Sequence, residues 1–360
     1  MRQNRSGNID LIRLLAAITV FYSHSWAMAF GLKSPHQEPL SAHATFMPFG
    51  LSIDGSAVHI FFLLSGFLIT RSMLSSQNGY RFWAARLLRI YPAVWVLTLL
   101  SVFVAGPLLT TLPLGEYFSS MRTIKYLFHN MLLFFVRTGL PGVFNDNPMS
   151  GAFNGPLWTL PWELLAYAMT FGLFAAGVLR DKRVLVGLWV LLAVLYYYPL
   201  QSLGNTSYVR WLLCYATGSL CCVLQWPDRL RSWHVMITLG LCVLFAILKT
   251  PLYHLAALVL LAQVLLWVGM RAPTIVHLRA DISYGVYIYA WPIQQILVQE
   301  IPGINAWQVA GLTAAIVVPL ALASWYFVEK PMLGKKDRFA GWLEQRSNQL
   351  YCFSRNKIGG

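Results

Sequence analysis

Residues 8–24 read Asn8-Ile9-Asp10-Leu11-Ile12-Arg13-Leu14-Leu15-Ala16-Ala17-Ile18-Thr19-Val20-Phe21-Tyr22-Ser23-His24, an apolar run that holds an arginine and a histidine. The run continues to about residue 30. About 20 mostly apolar residues are what an α-helix needs to cross a bilayer. Arg2 and Arg5 precede the run, but no small-residue cleavage site closes it. It reads as an uncleaved first span and not as a removable signal peptide.

Applied along the chain, the same length test gives ten candidate spans: 10–30, 56–73, 84–105, 157–178, 183–200, 208–225, 233–249, 252–269, 281–300 and 307–329. The stretch 126–136 is apolar but too short to span, so it lies in the interface or re-enters. Only 11% of residues are charged and 57% are hydrophobic, whereas soluble domains carry about 25% charge. Fourteen Trp and 17 Tyr suit belts at the two membrane interfaces. The expected fold class is all-α, a polytopic membrane protein with about ten transmembrane helices. Residues 1–334 form its transmembrane domain and 335–360 a basic cytoplasmic tail. The loops 31–55 and 106–156 are long, and long loops are commonly functional. They are placed to cover a site that opens away from the cytoplasm.

The net charge is +14. The basic residues sit in short runs between apolar segments, which points to topology and not to nucleic acid. With the N-terminus in the cytoplasm and ten alternating helices, the inner segments receive 21 of the 27 Lys and Arg and the outer segments 6. That bias puts both termini in the cytoplasm. The five cysteines (Cys214, Cys221, Cys222, Cys242 and Cys352) lack metal-ligand spacing. Neither a disulfide framework nor a metal site is expected.

Ionisable side chains inside a span are costly and face the bundle interior. Arg13 and His24 are eleven residues apart, so they project to within about 20° of each other and about 16 Å apart along the axis. Asp10, three residues before Arg13, can pair with it. The plain alternatives are a snorkelling Arg13 and a hydrogen-bonded packing role for His24. The second span carries Asp54 and His59 near its outer end, either of which can line a polar entrance. Its Ser65-Gly66 offers a small surface for another helix. Arg81, Arg86 and Arg89 cluster at the start of the third span. Guanidinium forks match phosphate oxygens, so the cluster can clamp a phosphate or simply anchor to lipid headgroups. Glu163 is the clearest carboxylate inside a span and is placed near the outer end, beside Pro161. The ninth span opens Asp281-Ile282-Ser283-Tyr284-Gly285-Val286-Tyr287. Glu329 closes the tenth, where a salt bridge to Arg13 competes with a catalytic role.

Six segments in this order resemble the membrane-bound acyltransferase family 3, whose members O-acylate cell-surface sugars. They are the Arg13 to His24 spacing, Phe61-Phe62-Leu63-Leu64-Ser65-Gly66-Phe67-Leu68-Ile69, Arg86-Leu87-Leu88-Arg89-Ile90-Tyr91-Pro92, Leu157-Trp158-Thr159-Leu160-Pro161-Trp162-Glu163, Ser283-Tyr284-Gly285-Val286-Tyr287 and Glu329-Lys330-Pro331. Two features depart from the family pattern: Glu163 stands alone where carboxylates are usually richer, and His59 stands where relatives are often acidic. The chain looks like a stand-alone type without a fused extracytoplasmic domain.

The resemblance implies a bacterial inner-membrane enzyme with no permanently bound cofactor. Its co-substrate is cytoplasmic acyl-CoA, usually acetyl-CoA, and its acceptor a glycan or lipid-linked glycan. Arg86, Arg89 and Arg81 would hold the donor. His24 would act as general base or accept the acyl group itself, with Arg13, Asp10 and Glu163 beside it. Asp54, His59, Glu329 and Tyr284 are assigned to acceptor binding or structure. The rival classes are a transporter or flippase for a lipid-linked glycan, which should show an inverted repeat and broken helices, and a scaffold indifferent to loss of His24.

Overall fold

The computed structural model describes residues 8–31, 53–197 and 206–358, apart from the side chains of 53–54, 206–207 and 350–358. Most of the 31–55 loop therefore lies outside the described residues. The elements are α1 (Ile9–Phe30), α2 (Ile53–Ser76), α3 (Gly79–Leu100), a π-turn (Ser101–Ala105), α4 (Gly106–Leu109), α5 (Leu114–Ser119) and α6 (Met121–Leu132). After a 3₁₀ turn (Pro156–Thr159) come α7 (Leu160–Ala175), α8 (Lys182–Tyr197), α9 (Thr206–Val223), α10 (Trp226–Arg229), α11 (Ser232–Ile247), α12 (Leu252–Met270) and α13 (Ser283–Glu300). The chain ends with α14 (Ala306–Ser324), a second π-turn (Trp325–Glu329), α15 (Lys330–Gly334) and α16 (Lys336–Ile358).

Each of the ten candidate spans is a helix, and the protein is an all-α polytopic membrane protein. Five stretches are long and apolar enough to cross a bilayer: α1, α2 from Gly55, α3 through α4, α12 from Tyr253, and α14 through α15. α9 and α11 are apolar but shorter. Met236, Ile237 and Ile247 on α11 and Phe327 on the second π-turn lie more than half exposed. Lipid, not water, is the solvent that suits them.

α1 is the hub, packed on α2, α12, α13 and α14. Asn8 fastens its start, donating to Val268 O (2.8 Å) and Pro273 O (3.0 Å) and accepting from the Ile275 N–H (2.7 Å). α2 packs most closely on α9, where glycine lets the backbones meet. A Cβ on Gly218 would stand 1.9 Å from Leu63 O, and one on Gly66 2.0 Å from Tyr215 O. Gly218→Val is expected to lower stability by about 1–3 kcal/mol, the usual range for overpacking. Thermal unfolding in detergent reads this, and an unchanged midpoint would contradict the close approach.

The segment after α4 turns back along α3. The Tyr117 hydroxyl donates to Val102 O (3.0 Å). Farther down, the Trp95 indole N–H donates to Met131 O (2.9 Å) and the Tyr91 hydroxyl to Leu132 O (3.2 Å). From Val102 in the π-turn to Tyr91 in α3 is eleven residues, about 16 Å. The segment 121–132 thus runs as a helix alongside α3. α6 buries Thr123, Tyr126 and Asn130 and exposes Ile124, Phe128 and Leu132.

Non-helical backbone at membrane depth must find its partners within the protein. Residues 136–159 do so against α13. Asn154 donates to Ile288 O (2.8 Å), Gln295 to Met149 O (2.7 Å) and Ala152 O (2.8 Å), and Trp291 to Ala152 O (3.0 Å). Asn147 donates to the backbone and side-chain oxygens of Gln295 (3.0 and 2.8 Å). This strap carries the chain down into the bundle before α7 begins.

Candidate active site

α1, α2, α3, α7, α13 and the α14–α16 end surround a cavity of about 500 Å³. Its wall holds Arg13, Arg86, Arg89 and Lys336 against two carboxylates, Glu163 and Asp281. The rest is aromatic, aliphatic or hydroxyl-bearing, including Tyr167, Tyr284, Tyr287, Trp325, Ser65 and Thr159.

Four charged groups form one chain of ion pairs. Asp281 accepts from Arg13 (3.0 Å) and from Arg89 (2.7 Å), and Arg89 also reaches Glu329 (2.9 Å). Ser283 donates to Asp281 (2.7 Å) and Ser324 to Glu329 (3.0 Å). The Arg89 guanidinium lies over two aromatic rings, 5.5 Å from that of Tyr284 and 5.4 Å from that of Trp325, contacts that favour a desolvated cation. Glu329 is wholly buried and ends the second π-turn. Such turns recur at functional sites. The network joins the start of α1, the connection before α13, the first half of α3 and the far end of α14. An alternating ten-helix topology requires those four places to share one side.

Several expectations are corrected here. Arg13 forms its described ion pair with Asp281, not Glu329, whose partner is Arg89. Arg86 and Arg89 are not at the mouth of α3. Asn78 caps that helix by accepting the Arg81 N–H (2.9 Å), so α3 starts at Gly79 and the two arginines stand about 10 and 15 Å inside it. Glu163 is not at the outer rim. The strap has already descended, and Glu163 faces the same cavity as Arg13 and Arg86. It accepts a hydrogen bond from the Tyr167 hydroxyl, and the Arg86 guanidinium lies 5.9 Å from the Tyr167 ring.

Other predicted residues stand outside the cavity wall. Arg81 is exposed and pairs with Asp337 of α16 (2.9 Å). His59 is buried on α2, its ring bonded to Gly55 O. Asp10 lies in the first turn of α1. The Asp54 side chain lies outside the described residues. Tyr284 does line the cavity and donates to Ile90 O (3.0 Å).

His24 is half-buried, with its ring edge-on to Trp291 at 4.9 Å between centroids. From the connection before α13 into that helix the cavity lining runs from Asp281 to Tyr287, which shares a hydrogen bond with Thr159 (2.9 Å). Trp291 is one turn beyond Tyr287, so His24 stands about 6 Å past that end of the lining. Gln294 fixes α1 around it, donating to Phe21 O (2.6 Å) and Ser25 Oγ (2.9 Å). Sequence reasoning missed Asp281, Lys336 and Gln294. Asp281 did carry a signal: it is one of only 13 acidic residues and stands at the end of a span.

The described residues form a helical membrane bundle with a cation-rich internal cavity and a histidine beyond it. Residues 6–328 match the acyltransferase domain of acyltransferase family 3, and the chain belongs to that family. The O-acetyl transferase of Shigella phage Sf6 is 29% identical over 93% of this chain and 98% of its own length. Nodulation protein 10 of Rhizobium leguminosarum bv. viciae is 29% identical over 91% and 93%. The peptidoglycan O-acetyltransferase OatA of Listeria monocytogenes is 24% identical over 84% of this chain and 55% of its own length. No solved structure matches the chain.

Proposed function

We propose that this acyltransferase moves an acyl group, an acetyl by analogy with its relatives, from cytoplasmic acyl-CoA to a hydroxyl of a cell-surface or lipid-linked glycan. One observation carries the reading: the cavity sets four cations near the ionic network and leads toward the layer that holds His24. The positive-inside count supports a cytoplasmic cationic end, on the side where acyl-CoA is made, and the reading takes the membrane to be the bacterial inner membrane.

Arg86 holds the donor's phosphates, because Arg13 and Arg89 are already engaged by carboxylates. The acyl-pantetheine arm then lies along the α2 wall from Ile69 to Val58, eleven residues and about 16 Å. The sugar hydroxyl oxygen attacks the thioester carbon, the C–S bond breaks, and the hydroxyl proton passes to His24 and on to the leaving thiolate. In the other route the imidazole nitrogen attacks the thioester carbon, the C–S bond breaks and the thiolate leaves, taking the imidazole proton. The sugar hydroxyl then attacks the acyl-histidine, the C–N bond breaks, and the hydroxyl proton passes to the freed imidazole. Glu163, held by Tyr167, orients the reacting groups.

The test is analysis of surface glycans for ester-linked acyl groups in cells with and without this gene. Esters that persist at the same level in its absence would sink the proposal. In the purified protein, Arg86→Gln is expected to weaken acetyl-CoA binding about tenfold, the loss of one charge-assisted contact of about 1.4 kcal/mol. Calorimetric titration reads it. Unchanged affinity would return Arg86 to charge placement.

A further inference from the structure

By composition the residues after Glu329 are a basic tail, yet they fold back onto the site. α15 and the first turn of α16 place Leu333 and Lys336 in the cavity wall. Lys336 is half-buried, whereas Lys335, Asp337 and Arg338 around it are exposed. α16 packs along α3, burying Ala340, and the Asp337–Arg81 ion pair ties its first turn to the start of α3.

The four cations of the wall divide into two pairs. Arg13 and Arg89 share Asp281, and Arg89 also holds Glu329. Among the described residues, neither Arg86 nor Lys336 has a carboxylate within ion-pairing distance. These two are the cations with charge to offer a ligand. Arg86 lies about 10 Å along α3, and Lys336 comes from the segment at the cytoplasmic mouth. An uncompensated lysine held half-buried at a cavity edge is placed for an anion.

We propose that Lys336, supplied by the C-terminal helix, binds the ribose phosphate of the acyl-CoA at the cavity mouth, while Arg86 binds the diphosphate deeper in. This rests on the acyl-CoA reading above. The ribose phosphate is the donor's anionic group farthest from the thioester, so it belongs at the mouth when the acyl group points toward His24. Arg81 and Asp337, both outside the wall, act as positioning residues that seat the turn carrying Lys336.

The experiment is titration of the purified full-length protein with acetyl-CoA and with acetyl-dephospho-CoA, which lacks that phosphate. Wild type is expected to prefer acetyl-CoA about tenfold. Lys336→Gln should bind acetyl-CoA about tenfold more weakly and lose the preference, and Lys336→Arg should keep most of both. In turnover, K336Q should raise KM for the donor with kcat little changed. A K336Q protein that binds acetyl-CoA like wild type, or keeps its preference, overturns the assignment and leaves the donor reading standing. Wild-type protein that binds neither compound overturns both.

Discussion

Replacing His24 by alanine is expected to cut acyl transfer by at least about 100-fold, the low end of what a positioned general base contributes. The protein should still insert and fold. Gln294 ties α1 on both sides of His24 by donating to the Phe21 carbonyl and the Ser25 hydroxyl, and those bonds do not use the imidazole. The measurement is the ester-linked acyl content of surface glycans in cells carrying the variant. Acylation at the wild-type level would remove His24 from the chemistry. The two routes separate by mass spectrometry of protein given donor but no acceptor. An acyl group on His24 marks the covalent route, and unmodified protein marks the base.

Asp281→Asn should produce the largest loss of stability, about 3–5 kcal/mol, the range for breaking a buried ion pair from one side. Asn keeps the shape but strips the charge that Arg13 and Arg89 share, and Arg89 is only 14% exposed. Asp281 stands in the connection before α13. Burial pushes its carboxyl up, but Arg89, Arg13 and the Ser283 hydrogen bonds overcome burial and hold it well below the usual carboxylate range. The sign follows from that depression. Its contribution is fully present above the ordinary Asp value of about 4 and fades only as pH falls through the lower folded value. Wild-type protein in detergent should therefore keep this contribution from pH 5 to 8, roughly the window where native proteins are most stable. The variant should unfold at a lower temperature throughout. Equal stability of the two proteins would show that the network does not hold the fold.

The helices were legible because each is a long apolar run, and the bilayer imposes that length. The Arg13–His24 register was legible because it is local to one helix. Pairings set by tertiary structure were not. Arg13 finds Asp281 across 268 positions, a partner that spacing along one helix cannot reveal. The depth of Glu163 was misread for a similar reason. Its distance from the membrane surface depends on the strap that precedes α7, and nothing in residues 136–159 alone announces that they descend. Lys336 looked like one basic residue among several in a tail. Only the return of α16 to α3 distinguishes it from Lys335.

The strap against α13 also sets an order of events in biogenesis. Asn154 must meet Ile288, which is made 134 residues later. At about 5–20 residues per second, the ribosome takes roughly 7–27 s to cover that distance. Until then the carbonyls of Met149, Ala152 and their neighbours have no amide partner, and hydrocarbon would not tolerate them. The strap therefore waits at the aqueous face while α8 to α12 insert, and it enters only when α13 arrives. Assembly of the cavity is therefore expected to be a late, post-insertion step, and a chain truncated before α13 would reach the membrane without forming that cavity.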